Sequence, residues 1–283
     1  MKKILFSIVV LTALCFTQVE AQLKTPAPSP GATVTQKVGV SEIAIDYSRP
    51  SMKGRKIFGS LVPFGELWRT GANASTKVTF ADDVNVGGVA LKAGKYALFT
   101  FPGESEWTVV FYGDAEVSGT PGDKYDPKQE VAKFKVKSQK LNDKVETFTI
   151  DVANLTDASA EITLLWENTK VAIPVKFDTE KMVMTSIDEV MAGPSQRDYY
   201  SAARYYFDNG KDLNTAYKWI TKATEGDGNA FWMLRLKSQI EAGLGKYKEA
   251  INTATKSKEL AEKAGNKQYV KFNEDAIKEW SKK

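Results

Sequence analysis

Apolar and polar residues alternate along the first half of the chain. Val171, Ile173, Val175 and Phe177 fall on one face of a segment whose other face carries Ala172, Pro174 and Lys176. Phe148, Ile150 and Val152 alternate with Thr147, Thr149 and Asp151, and Ala132, Phe134 and Val136 alternate with Lys133, Lys135 and Lys137. Ile162, Leu164 and Trp166 repeat the pattern, which Ile43 and Ile45 begin. A period of two means strands with one face on a core and one in water. Turn signals separate the runs at Gly87-Gly88, Ala93-Gly94, Pro102-Gly103, Pro121-Gly122 and Glu167-Asn168. Many short strands without intervening helices predict an antiparallel β-sandwich over residues 33–178. The Lys133/Lys135/Lys137 row predicts an edge strand guarded against pairing, in preference to an anion site. Pro174 places the last strand at an edge or near a bulge. Between Gly113 and Glu130 no pattern is sustained, and the stretch reads as an irregular, partly mobile excursion.

The period changes after Thr179, with the junction expected between Asp178 and Met184. Ser186-Ile187-Asp188-Glu189 and Ser195-Gln196-Arg197-Asp198 both resemble capping boxes, with Gly193-Pro194 between them. Helices are predicted to run from Ser195 to Asn209, Leu213 to Glu225, Asn229 to Ala242, Tyr247 to Ala264 and Gln268 to Trp280. Gly210, Gly226, Gly243 or Gly245, and Gly265 stand where helices stop. Leu213 and Ala216 recur 34 residues later as Tyr247 and Ala250, and Lys222-Ala223 as Lys256-Ser257. That spacing suits tetratricopeptide-like helical hairpins over residues 185–283, although the usual Trp/Gly/Pro pattern is largely absent; an unrelated helical bundle is the alternative. Aromatic residues are dense here and read mainly as core. The adjacent pairs Tyr199-Tyr200 and Phe231-Trp232 cannot both face one core stripe, so one of each is expected to meet the β domain or a protein partner.

The N-terminus reads differently from both halves. Lys2-Lys3 precede an uncharged run from Ile4 to Phe16, and Val19 and Ala21 supply small residues for cleavage. These are the parts of a signal peptide over residues 1–21, with Gln22 as the mature start. The run is too short to span a bilayer, and no later segment is long and apolar enough to do so. Residues 22–32 form a Pro-rich leader, extended and partly disordered. The mature chain is thus expected to be soluble and exported, to the periplasm or beyond.

Composition narrows the chemistry. Cys15 is the single cysteine and leaves with the signal, so no disulfide staples the mature protein. No histidine occurs, which removes histidine-dependent triads and histidine metal sites, and the missing thiolates remove structural zinc. No metal or cofactor is expected: Asp82-Asp83, or Asp114 with Asp123 and Asp126, lack calcium-loop spacing, and Gly87-Gly88 is a hairpin turn, not a phosphate loop. A net charge of +4 from 39 basic and 35 acidic residues is ordinary for solubility and gives no argument for nucleic acid.

The densest chemistry lies in Tyr47-Ser48-Arg49-Pro50-Ser51-Met52-Lys53-Gly54-Arg55-Lys56-Ile57-Phe58-Gly59 and Pro63-Phe64-Gly65-Glu66-Leu67-Trp68-Arg69-Thr70-Gly71-Ala72-Asn73. Such punctuation excludes a regular helix and one long strand, and reads as loops holding side chains in place. A guanidinium fork binds a carboxylate, sulfate or phosphate through two hydrogen bonds. Arg49, Arg55 and Arg69 are therefore candidate anchors, Trp68 a candidate stacking surface and Asn73 a candidate orienting group. The competing structural reading pairs Arg49 and Arg55 with Asp46, Glu66 or Asp82 and uses Trp68 as a plug at one end of the sandwich.

This block closely resembles the signature of a bacterial exported family known as domain of unknown function 2911. The resemblance runs from Val38 to Phe177 through Arg49-Pro50, Gly54-Arg55, Ile57-Phe58-Gly59 and Trp68-Arg69-Thr70-Gly71-Ala72-Asn73. Ala93 to Thr100 and Glu106-Trp107-Thr108-Val109 add weaker matches. It implies a single β domain, sometimes followed by helices, and no established activity. Relatives commonly follow the Asn with Glu-Ala-Thr, where this chain has Ala74-Ser75-Thr76; a function that needed that acid would be missing here.

The reading that results is an exported, non-catalytic binding or interaction protein that recognises a carbohydrate, an anionic group or a peptide carboxylate. Two alternatives stand beside it. One is an envelope hydrolase acting on glycans with two carboxylates about 5 to 9.5 Å apart, for which Glu66, Asp82 and Asp83 are at hand. The other is a purely structural envelope protein.

Overall fold

The computed structural model describes residues 25–225 and 230–283. The expected signal peptide, the Gly226 helix stop and the Asn229 helix start lie outside these residues. The chain forms two compact units. The first comprises described residues up to 36 together with 42–155 and 160–175; the second comprises 37–41, 156–159 and 176–283.

Among the described residues nine strands build the first unit: β1 (Gly31–Val38), β2 (Ser41–Ser48), β3 (Thr76–Phe80), β4 (Val84–Val86), β5 (Val89–Leu91), β6 (Gly94–Phe101), β7 (Glu106–Tyr112), β8 (Glu130–Ala153) and β9 (Ser159–Phe177). They form one sheet in the order β1-β2-β3-β6-β7-β8-β9-β4-β5. Alternation becomes burial as expected: Ile43 and Ile45 on β2, Phe148 and Ile150 on β8, and Val171 and Ile173 on β9 are all inaccessible. Gly87-Gly88 turns the β4–β5 hairpin, where Val86 faces Val89.

The two longest strands close the core. β8 pairs with β7 through residues such as Phe134, opposite Val109, and with β9 from Ser138 onward. Beyond β2, the chain hydrogen-bonds to the far half of β8: Phe148 donates its N–H to the Pro50 carbonyl at 2.8 Å and Met52 to that of Glu146 at 2.8 Å. Tyr47 meets Phe148 edge-on at 5.9 Å, and its hydroxyl bonds the Ile150 backbone. β2 and β8, separated by β3, β6 and β7 in the sheet order, thus share one aromatic core.

One sequence expectation is corrected. Glu167-Asn168 does not separate two strands; β9 runs through it, with Glu167 at φ +54° opposite Val145 where the register shifts. One residue in the left-handed region bends the strand without ending it. The lysine row lies on the half of β8 that pairs with β7, and the pairing with β9 begins at Ser138; Lys133 and Lys135 pair with Glu130 and Glu106 at 3.0 and 2.8 Å. The excursion between β7 and β8 is irregular, as expected, with short turns at Gly122–Lys124 and Pro127–Gln129. Its Val117 and Tyr125 cover Ala97, Phe99, Val110 and Tyr112, so the central strands are buried on both faces. That second core explains why β6 and β7 read as continuous apolar runs.

The second unit holds α1 (Thr179–Val190), α2 (Gln196–Asp208), α3 (Leu213–Thr224), α4 (Phe231–Gly243), α5 (Tyr247–Lys263) and α6 (Lys267–Trp280). α1 starts at the end of β9, capped by Asp178, so residues 179–184 are helix and Ser186 lies mid-helix without capping. The Ser195/Asp198 capping box is real: Ser195 N–H reaches the Asp198 carboxylate at 2.8 Å and Asp198 N–H the Ser195 hydroxyl at 3.3 Å. Gly210, Gly245 and Gly265 follow their helices at φ +62°, +76° and +69°, where a Cβ would be strained. The 34-residue repeat falls on buried small residues, Ala216 with Ala250 and Ala223 with Ser257. Ser257 departs from alanine because its hydroxyl donates to the Phe231 carbonyl on α4 and accepts from Asn273 on α6. Tyr199 and Tyr200 both pack on the helical core, against expectation, whereas Trp232 keeps 41% of its surface exposed.

Candidate functional site

The signature block folds back on the β core by way of residues that leave regular geometry. Lys53 and Gly54 take φ +49° and +74°, the signs of a tight type I′ turn, and Arg55 N–H closes it on the Met52 carbonyl at 3.0 Å. Ile57 and Phe58 then plunge into the core. Trp68 pairs with Thr100 at the end of β6 through two backbone bonds of 2.8 and 3.0 Å. Thr70 and Asn73 again have positive φ, at +53° and +58°. Thr70 is fully buried, its hydroxyl against that of Thr100. These bends aim alternate side chains inward and outward within a few residues.

A cleft of about 460 Å³ opens beside the block. Lys53, Arg55, Glu66, Trp68, Arg69 and Thr120 line it, with Trp166 at its base and Pro28 and Ser29 at its rim. Of the sequence candidates, the structure brings Arg55, Trp68 and Arg69 together here. It does not bring Arg49 or Asn73. The Arg49 guanidinium donates to the Phe148 carbonyl at 3.2 Å and to the Thr149 hydroxyl at 2.8 Å, and so secures the seam with β8. Asn73 sends its amide to the Ser29 carbonyl and the Ser48 hydroxyl, holding the leader against β2.

Each cleft residue has a distinct environment. Arg55 is exposed and folds onto its own turn, donating to Met52 and Ser51 carbonyls at 2.9 and 2.7 Å. Arg69 is half-buried: its Nε is dry and without a hydrogen-bond partner, and Nη1 reaches Thr120 Oγ1 only at 3.5 Å. Among the described residues, none of Arg49, Arg55 and Arg69 forms an ion pair, so internal neutralisation by Asp46, Glu66 or Asp82 is not what holds them. Trp68 is 8% exposed and lies edge-on to Phe58, Trp107 and Phe148, stacked with Trp166 at 5.9 Å. Both indole N–H groups are used internally, on the Gly71 and Glu146 carbonyls. The rings are therefore a wall of the cleft more than an open platform.

Lys53, Thr120 and Trp166 were not singled out from sequence. Lys53 carried a signal, adjacency to Gly54-Arg55; Thr120 carried none, since it arrives on the excursion. That excursion is pinned by Lys77, whose ammonium donates to the Ala115 and Val117 carbonyls and the Ser75 hydroxyl. Burial pushes the Lys77 pKa down, opposed by the nearby Glu116 carboxylate. Glu66 is the single carboxylate among the described residues lining the cleft. Asp83 is elsewhere, paired with Lys92 at 2.8 Å.

Fold and cleft together define a two-unit protein, an antiparallel β unit with a cationic cleft and a six-helix unit after it. Residues 29–175, more than half of the chain, match the model of a family described as protein of unknown function (DUF2911), and the chain belongs to that family. No curated protein and no solved structure matches it.

Proposed function

We propose that this chain is an exported, non-catalytic binding protein whose β unit receives an anionic group, most simply a carboxylate borne by a carbohydrate, at Arg55 and Arg69. The observation that carries the reading is the meeting of Lys53, Arg55 and Arg69 at one cleft, without an ion pair among the described residues. Three cations against one acid leave a local excess of positive charge, and forked donors suit a planar carboxylate. Trp68 and Trp166 add an apolar wall for the body of the ligand. Arg49 and Asn73 act indirectly, by fixing the loops. The paired-acid hydrolase draws no comparable support, because Glu66 has no second carboxylate beside it among the described lining residues.

The test is a binding screen of the purified protein against oligogalacturonate, oligoglucuronate and their neutral counterparts, repeated with Arg55→Gln. The reading expects retention of the acidic oligomers, none of the neutral ones, and at least tenfold weaker binding by the variant. Equal binding of charged and neutral oligomers, or none of either, would remove it. Export is tested separately, by N-terminal sequencing of the envelope fraction, which should begin at Gln22.

A further inference from the structure

The helical unit carries a cation that has no counter-ion among the described residues, in surroundings unlike the cleft. On α4, the Phe231 ring meets Trp232 at 5.1 Å and Tyr269 of α6 at 4.9 Å, both edge-on. Tyr269 in turn meets Phe272 at 6.0 Å. Trp232 and Phe272 are 41% and 43% exposed, so a run of four linked rings crosses from α4 to α6 and ends in solvent on both sides. The buried cluster around Ala203, Ala216, Ile220, Ala223, Leu236 and Ile240 does not include these four rings.

Arg235 lies one helical turn beyond Trp232, on the same side of α4. Its guanidinium sits over the Trp280 ring, 5.8 Å from the centroid. The residue is half-buried, and Nη1 is dry with no hydrogen-bond partner. Among the described residues Arg235 makes no ion pair. Burial lowers its pKa, and Tyr269 is the neighbour that acts in the opposite sense. The contrast with Arg204 on α2 is direct: Arg204 also feels Tyr269, but Asp208 neutralises it at 2.6 Å. A desolvated guanidinium framed by aromatic rings has no carboxylate partner among the described residues, and Arg, Trp and Tyr are the residues that dominate interface energetics.

We propose that the α4/α6 face centred on Arg235 docks a carboxylate-bearing peptide segment of a partner protein. The acid bonds to the guanidinium, and apolar neighbours of the acid lie on Trp232 and Phe272. A free small anion would use Arg235 and leave the exposed rings uncovered; a peptide covers both. This surface is independent of the β-unit cleft.

The experiment is a peptide array probed with the purified protein. The probes are dodecapeptides with a central Asp or Glu flanked by Leu, Phe or Pro, each beside its Asn or Gln twin. The proposal expects a subset of acidic peptides to bind at least tenfold above their twins. Arg235→Gln should erase that discrimination, and Trp232→Ala, at an exposed position, should weaken binding while the fold is kept. Arg55→Gln should leave the array unchanged. The proposal is overturned if no acidic peptide exceeds its twin, if discrimination survives Arg235→Gln, or if Arg55→Gln removes it.

Discussion

Arg69→Met separates a guanidinium kept for the fold from one kept for a ligand. In the structure the Arg69 head makes one long contact, 3.5 Å to the Thr120 hydroxyl, and its Nε is buried without a partner. Removing a weak hydrogen bond costs at most about 0.5–1.5 kcal/mol, and relieving an unsatisfied buried donor returns about 1–3 kcal/mol. Methionine keeps the apolar stem that packs along the cleft wall. The two terms nearly cancel, so the unfolding free energy should change by less than about 1 kcal/mol. A charge-assisted bond to a carboxylate is worth about 1.5–3 kcal/mol, so affinity for an acidic oligomer should fall at least about tenfold. In thermal unfolding, ligand at a hundred times its Kd stabilises by about 2.7 kcal/mol. A tenfold weaker variant at the same concentration keeps about 1.4 kcal/mol, halving the rise in Tm. Circular-dichroism melts with and without oligogalacturonate read both quantities. A loss of more than about 2 kcal/mol without ligand would make Arg69 a structural residue; an undiminished ligand shift would remove it from the site.

Two further outcomes test the packing. Glu241 is 2% exposed with Oε2 unpartnered, and burial raises its pKa above the ordinary carboxylate value. Below the unfolded-state pKa both states are protonated and no penalty arises; as pH rises the unfolded state ionises first, and stability is lost through the folded pKa. Glu241→Gln should therefore stabilise the protein by about 1–2 kcal/mol at pH 8 and change little at pH 4, read by urea unfolding; equal effects at both pH values would contradict the argument. Trp68→Ala removes an indole packed on Phe58, Trp107, Phe148 and Trp166 and should cost about 3–5 kcal/mol. A cost under about 1 kcal/mol would return Trp68 to the role of an exposed platform.

Strands β2, β8 and β9 and five of the six helices were legible because burial on one face leaves a periodic trace. What escaped was structure that periodicity does not encode. Glu167 looked like a turn because Glu-Asn is a turn signal, yet the strand on each side is held by β8, and tertiary pairing overrode the local preference. The excursion between β7 and β8 looked patternless because its apolar contacts to the sheet, Val117 and Tyr125, are few and widely spaced, with two short turns at Gly122–Lys124 and Pro127–Gln129. α1 went unread because a strand-end Asp serves as its cap, and the eye falls on the more usual Ser-containing box at Ser186.

The candidate site was half legible for a related reason. Density of Arg and Trp among glycines and prolines correctly marks a place where the chain bends sharply, but two unlike tasks produce that density. Arg49 closes the seam between the chain after β2 and the far half of β8, where an exposed carbonyl needs a donor; a fork that reaches both Phe148 and Thr149 does this without another strand. Asn73 stands at φ +58°, a conformation asparagine tolerates, and its amide ties the leader down. Both satisfy backbone that the bends leave unpaired. Arg55 and Arg69 sit at the same bends but retain donor capacity facing a cleft. Sequence supplies the residue types that either task requires, and only the accounting of partners, carbonyl by carbonyl, tells the donors the fold has consumed from those it leaves for something else.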